Sequence, residues 1–78
     1  MIPLNDMKPE TESIISKITI DEIIYRRLEM LGIRIGNKIK NVTSQPFGGP
    51  IVIEVNRTQI SIGTGIAEKI FVEKITNV

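Results

Sequence analysis

The sequence predicts a small, mainly β barrel of about five strands with one inserted α-helix. Isoleucine dominates its aliphatic residues, and this branched side chain favours strands. Short apolar segments alternate with turn residues along 78 residues, a length that allows one thin core and a single domain, 1–78. Because so short a chain cannot form two full sheets, we expect one strongly bent sheet with few open edges.

One segment, residues 20–31, predicts a helix. Thr19 and Glu22 have the spacing of a capping box, and Asp21 is the alternative N-cap. Gly32 stands where a left-handed residue commonly ends a helix, with an apolar residue directly after it. The face that we expect to cover the core carries apolar residues at steps of four, four and three: Ile20, Ile24, Leu28 and Leu31.

The strands lie on both sides of this helix. They are predicted at residues 12–20, 38–43, 51–55, 58–62 and 70–75, with a bulge near Ile14 and Ile15, where the alternation breaks. Only Asn56 and Arg57 separate the third and fourth strands, which predicts a two-residue hairpin. Since Arg57 adopts positive φ poorly, a longer turn is the alternative. Residues 45–50 predict a loop, and 66–69 one helical turn.

Charge and composition limit the partners and the location. Ten basic and nine acidic side chains give a net charge of +1, which is far from the basic balance of a domain that neutralises many phosphates. The chain has no cysteine, which suits a reducing compartment. Neither a secretory signal nor a membrane-spanning run is apparent, so we expect a cytoplasmic protein without direct membrane insertion.

Catalytic and metal-binding residue types are scarce. The chain has neither histidine nor cysteine, which are the commonest catalytic nucleophiles, bases and transition-metal ligands. The remaining polar residues form no catalytic motif, so the sequence predicts a protein without enzymatic activity and without a cofactor. Asp6, Glu10 and Glu12 offer oxygen ligands, but such residues are more often solvated, and we predict no metal site.

Two motifs carry a family resemblance. Residues 26–33 read Arg-Arg-Leu-Glu-Met-Leu-Gly-Ile and are followed by Gly36, and residues 46–50 read Pro-Phe-Gly-Gly-Pro. Together with the Leu-Asn-Asp-Met-Lys-Pro opening and with Ala67, Ile70 and Val72, they resemble the ferrous iron transport protein A (FeoA) family over nearly the whole chain. Three positions depart from its pattern: Glu10 replaces a glycine, Asn41 an aliphatic residue, and Asn56-Arg57 a glycine-bearing turn.

The resemblance implies an SH3-like barrel and a cytosolic partner. The partner that the resemblance implies is the G-protein domain of the FeoB membrane transporter, whose assembly or activity the chain would regulate. The module also resembles the C-terminal domain of DtxR-type metal-dependent repressors, so a stand-alone regulatory module is an alternative. Our candidates for partner binding are residues that we expect to be exposed and that carry either a charge or a large apolar side chain: Arg26, Arg27, Met30 and Phe47.

Other interpretations remain open. Phe47 could instead pack in the core, and the basic residues of segment 26–40 could be ordinary solvated surface rather than a docking patch. A nucleic-acid-binding barrel would use Arg26, Arg27, Arg34, Lys38 and Lys40 on phosphates. Only three aromatic residues are available for base stacking, which argues against nucleic acid. Exposed strand edges leave a homodimer open.

Overall fold

The computed structural model describes residues 1–44 and 48–75. Its strands are β1 (Ile2–Pro3), β2 (Glu12–Ile18), β3 (Lys38–Asn41), β4 (Ile51–Val55), β5 (Thr58–Ile62) and β6 (Ile70–Lys74). Its helices are a 3-10 turn (Leu4–Asp6), α1 (Glu22–Met30) and α2 (Thr64–Ala67). The strands form one antiparallel sheet in the order β1-β6-β2-β3-β4-β5. The mainly β fold is therefore confirmed, with β1 as an additional short strand.

The sheet bends around a single core. Ile15 of β2, Ile53 of β4, Ile62 of β5 and Val72 of β6 are all buried and belong to one cluster. Strands so far apart in the sheet order can share one cluster only if the sheet curves around it. A register shift between Ile15 and Lys17 in the β2–β6 pairing confirms the predicted irregularity and adds local bending. Further core residues come from outside these four strands: Leu4, Met7, Leu28, Ile33, Ile39 and Ala67, while Ile70 adds a second core residue of β6.

Helix α1 begins at the alternative cap. The Asp21 carboxylate accepts a hydrogen bond from the Ile24 amide at 3.1 Å, so Asp21 is the N-cap and the predicted Thr19 cap is wrong. Thr19 lies one residue beyond β2, where its amide donates to the Lys69 carbonyl at 2.9 Å and its hydroxyl faces the same oxygen at 3.4 Å. The chain therefore turns into the helix two residues later than the capping-box spacing predicts.

The end of α1 follows the predicted ending. Gly32 has φ +88°, and its amide donates to the Glu29 carbonyl at 3.0 Å, while the Ile33 amide donates to the Leu28 carbonyl at 2.9 Å. These are the two hydrogen bonds of a Schellman motif, and Leu28 and Ile33 are both buried. Leu31 was predicted on the core face, which is wrong. It is 51% exposed, because three helical steps from Leu28 rotate it by about 60° away from the core.

Three residues other than glycine have positive φ. Asn56 (+50°) and Arg57 (+67°) form a two-residue turn in which Val55 pairs with Thr58, which confirms the hairpin and excludes the longer turn. Glu10 (+64°) is the third. Positive φ thus occurs at both places where the sequence lacks the expected glycine, at Glu10 and in the Asn56-Arg57 turn, and glycine would adopt it without steric cost.

Candidate docking surface

The solvent face of α1 is apolar at two of its positions. Ile23 is 71% exposed and Met30 is 84% exposed. They are seven residues apart, close to two helical turns, so they lie on the same face, with Arg27 between them. Leu28, the buried residue of α1, points to the other side. The helix is therefore attached to the core along one side and presents isoleucine, methionine and arginine to solvent on the other.

Three of the four predicted partner-binding residues come together on this helix. Met30 belongs to the apolar pair, and Arg26 and Arg27 are exposed beside it. Phe47 lies outside the described residues. We call Ile23, Arg26, Arg27 and Met30 the docking face. Ile23 was missed by the sequence analysis, although its spacing of seven from Met30 could have identified it.

The charge on the docking face is partly balanced. The Arg26 guanidinium lies 2.7 Å from the Glu22 carboxylate, one turn earlier on the helix. Both side chains are more than 70% exposed, so water screens the pair and it contributes little to stability. Breaking this pair would therefore cost little free energy, and Arg27 adds a second exposed guanidinium on the same side.

The apolar surface continues beyond the helix. Leu31 and Ile35 are 51% and 54% exposed. Between them the Arg34 Nε donates to the Glu29 carbonyl at 3.1 Å, which holds the connecting segment against the last turn of α1. A shallow depression of about 500 Å³ lies on the surface where this end of α1 meets the β4–β5 hairpin. Met30 and Leu31 form one side of the depression, and Val55, Asn56 and Thr58 the other.

Basic residues of β3 do not extend this face. The Lys38 ammonium lies 3.5 Å from the Glu12 carboxylate, and the Lys40 ammonium lies 3.5 Å from the Glu10 carboxylate. Both lysines thus have acidic neighbours, Glu12 on β2 and Glu10 in the turn before it. A phosphate backbone that used Lys38 and Lys40 would meet these carboxylates as well, which weakens the nucleic-acid interpretation.

The acidic residues considered for metal binding do not form a metal site in the described residues. Glu10 and Glu12 each pair with a lysine, as described above. Within residues 1–44 and 48–75, no three side chains of histidine, cysteine, aspartate or glutamate lie close enough together to hold a metal ion. In the same ranges no helix has both the length and the apolar character needed to cross a membrane.

Asn41 connects β3 to the N-terminal segment through hydrogen bonds of its side chain and its backbone. Its side chain is buried, and its Nδ2 donates to the Met7 carbonyl at 2.8 Å while its Oδ1 accepts from the Thr43 amide at 2.9 Å and from the Thr43 hydroxyl at 2.6 Å. Its backbone adds bonds to Thr11 and Glu10. This polar residue, which replaces a usual aliphatic one, therefore joins the N-terminal segment to β3 with its hydrogen-bonding groups satisfied.

Comparison with known proteins identifies the family. A family model described as "FeoA domain" matches residues 2–74. A relative from Methanocaldococcus jannaschii, which bears the provisional name Fe(2+) transport protein A, is 40% identical over 73 residues. The match covers 94% of this chain and 87% of the relative.

Solved structures share the fold. A crystal structure of an iron uptake regulatory protein (FeoA) is 30% identical, with a TM-score of 0.82 over 95% of this chain and 96% of that one. A zinc complex of FeoA from Stenotrophomonas maltophilia, described as a procaryotic SH3 domain protein, is 23% identical, with a TM-score of 0.79 over 94% and 91% of the two chains. The SH3-like fold that the resemblance implied is therefore confirmed.

The same fold occurs within a longer regulator. A manganese-dependent transcriptional repressor is 18% identical, with a TM-score of 0.82 over 94% of this chain but only 41% of the repressor. At this identity the likeness concerns the fold alone. It agrees with the predicted similarity to one domain of metal-dependent repressors.

Proposed function

Because this chain belongs to the FeoA family of ferrous iron transport accessory proteins, we propose that it docks on the cytosolic G-protein domain of an FeoB-like membrane transporter. There it regulates the assembly or the activity of the transporter and catalyses no reaction itself. The proposed partner places the chain in the cytoplasm. The ferrous ion is the cargo of the transporter, and this chain influences its transport only by binding the transporter.

The docking face is the observation that supports this proposal. Ile23 and Met30 expose most of their side chains on one side of a short helix. Burying such a side chain stabilises a complex by about 1.5–3 kcal/mol. A partner that covers both residues therefore gains substantial binding energy from two contacts, which is the usual distribution of energy in protein interfaces.

The flanking arginines define the kind of surface that fits. Arg26 and Arg27 lie beside the apolar pair, and guanidinium groups form two parallel hydrogen bonds with carboxylates. We therefore expect the complementary surface to be apolar at its centre and acidic at its rim. Such rim charges mainly raise the association rate, so binding should weaken as the salt concentration rises.

The test uses the full-length transporter reconstituted in nanodiscs and the full chain in solution. Biolayer interferometry at low salt should show saturable binding, and an excess of soluble G-protein domain should compete for the chain. Absence of binding at low salt would contradict the docking role. Binding that the G-protein domain cannot compete would place the contact elsewhere on the transporter and contradict the proposed site.

A further inference from the structure

The long free edge of the sheet is β5. This strand pairs with β4 alone, and it ends the strand order of the sheet. Natural proteins usually protect such an edge with charges, with proline or with a bulge. The strand Thr58–Ile62 carries none of the three, since its sequence is Thr-Gln-Ile-Ser-Ile and its register with β4 is continuous over all five residues.

The hydrogen-bonding direction of β4 determines which groups of β5 point outward. The Val42 amide donates to the Val52 carbonyl at 2.9 Å, so Val52 directs its backbone groups toward the β3 side. Because these directions alternate along a strand, Ile53 and Val55 direct theirs toward β5, where they face Ile60 and Thr58. The residues between, Gln59 and Ser61, must therefore direct their amides and carbonyls to the open side.

Gln59 and Ser61 are both exposed. Across residues 1–44 and 48–75, their backbone groups have no hydrogen-bond partner in another strand, loop or side chain. The free edge thus presents two amide donors and two carbonyl acceptors on alternate residues. This arrangement is a template for one further strand.

We infer that this edge pairs with the same edge of a second copy of the chain, in an antiparallel dimer whose two-fold axis passes Ile60. In that register Gln59 of each copy faces Ser61 of the other, so the outward donors and acceptors form four hydrogen bonds. The strand is uncharged, and Arg57 would face Gly63 of the second copy, so pairing brings no like charges together.

The edge is self-complementary, which favours a second copy over an unrelated strand. The opposite edge, β1, cannot serve equally, because it has two residues and Pro3 has no amide hydrogen. An interface built on one short strand pair buries much less surface area than the roughly 1,000 Å² that stable complexes bury. The dimer is therefore weak and forms as the chain concentration approaches about 1 mM, the range in which contacts of about 4 kcal/mol are half occupied.

The experiment measures self-association of the full chain and of three variants. Analytical ultracentrifugation and amide hydrogen exchange are recorded at chain concentrations from about 10 µM up to about 1 mM, where we expect half of the chains to be dimeric. We expect the dimer fraction to rise to about one half near 1 mM, so that the exchange of the Gln59 and Ser61 amides slows about twofold over this range. Ser61→Pro removes an outward amide and no β4 bond, so it should abolish both effects. Ser61→Ala keeps the amide and should behave as the original chain.

A second variant protects the test against misfolding. Gln59→Lys combined with Ser61→Lys changes two exposed side chains and leaves every backbone group in place. In the proposed register it puts lysines directly opposite each other, so the dimer should be lost at low salt. A chain that stays monomeric throughout the range would overturn the inference, as would a dimer that persists in both Ser61→Pro and the double lysine variant.

Discussion

Gly32 lies against Asn56, so that a Cβ atom on residue 32 would come within 3.1 Å of the Asn56 Nδ2 atom. The same atom would lie 3.2 Å from Val55 Cγ1. This close approach joins the end of α1 to the β4–β5 hairpin. Leu28 is the one buried residue of α1 and Ile24 is partly buried against the same core, so the Gly32 approach is a further point at which the helix that carries the docking face meets the rest of the fold.

Gly32→Ala should therefore destabilise the chain more than a comparable glycine substitution. Its cost combines a left-handed backbone, about 1–2 kcal/mol, with the contact to the hairpin. Gly36→Ala is the matched control, because Gly36 has φ +96° with no atom within 4 Å of its added Cβ. Urea unfolding of both variants measures the difference. Equal losses would show that the Gly32 contact adds nothing.

The two candidate helix caps can be separated by alanine substitution. Asp21→Ala removes the acceptor of the Ile24 amide and should lower the free energy of unfolding by about 1 kcal/mol. Thr19→Ala removes only a long contact to the Lys69 carbonyl and should stay within about 0.5 kcal/mol of the original chain. Chemical denaturation checks both. A larger loss for Thr19→Ala would return the cap to the capping-box position.

Glu10→Gly should stabilise the chain. It relieves the positive φ of residue 10, which costs about 1–3 kcal/mol, against about 0.5–1 kcal/mol of added chain entropy in the unfolded state. The ion pair with Lys40 that it removes is exposed and contributes little. Glu10→Ala is the control, since it removes the same pair and keeps the strain. A melting temperature that falls in Glu10→Gly would contradict this explanation.

Asn41→Val should destabilise the chain even though valine suits a buried strand position. It leaves the Met7 carbonyl and the Thr43 amide without their partner, at about 2–3 kcal/mol. Asn37→Ala is a useful comparison, because Asn37 is half-buried and makes one bond of this kind, from its Nδ2 to the Gly32 carbonyl at 2.8 Å. It should cost about 1 kcal/mol. If Asn41→Val left the free energy of unfolding unchanged or raised it, the hydrogen bonds of the Asn41 side chain would not be needed for stability.

The fold was predictable where local signals are strong. Gly32 as a helix ending and Asn56-Arg57 as a hairpin turn each depend on a few neighbouring residues, and both predictions are confirmed. By contrast, β1 has only two residues, one of them proline, so it produces no periodic pattern. The choice between Thr19 and Asp21 as cap depended on how far β2 continues to pair with β6, which is a long-range contact.

The docking face was predictable in part. Arg26, Arg27 and Met30 were selected as exposed residues, and the structure brings them together on α1. Ile23 was missed because the helical spacing was used to predict the core face, with Ile24 and Leu28, and not to find apolar residues on the opposite face. Leu31 was assigned to the core because it lies three residues after Leu28, but at the end of the helix that step turns it toward solvent.

The most direct test of the account substitutes the apolar residues of the docking face. Ile23→Ser combined with Met30→Ser should weaken binding to the full-length transporter at least tenfold, as expected when about 1.4 kcal/mol or more of contact energy is lost. Ile2→Ser, on the edge strand β1, removes an exposed isoleucine elsewhere and should leave the dissociation constant unchanged. If the double variant bound as tightly as the original chain, or if Ile2→Ser weakened binding equally, docking through this helix would be contradicted.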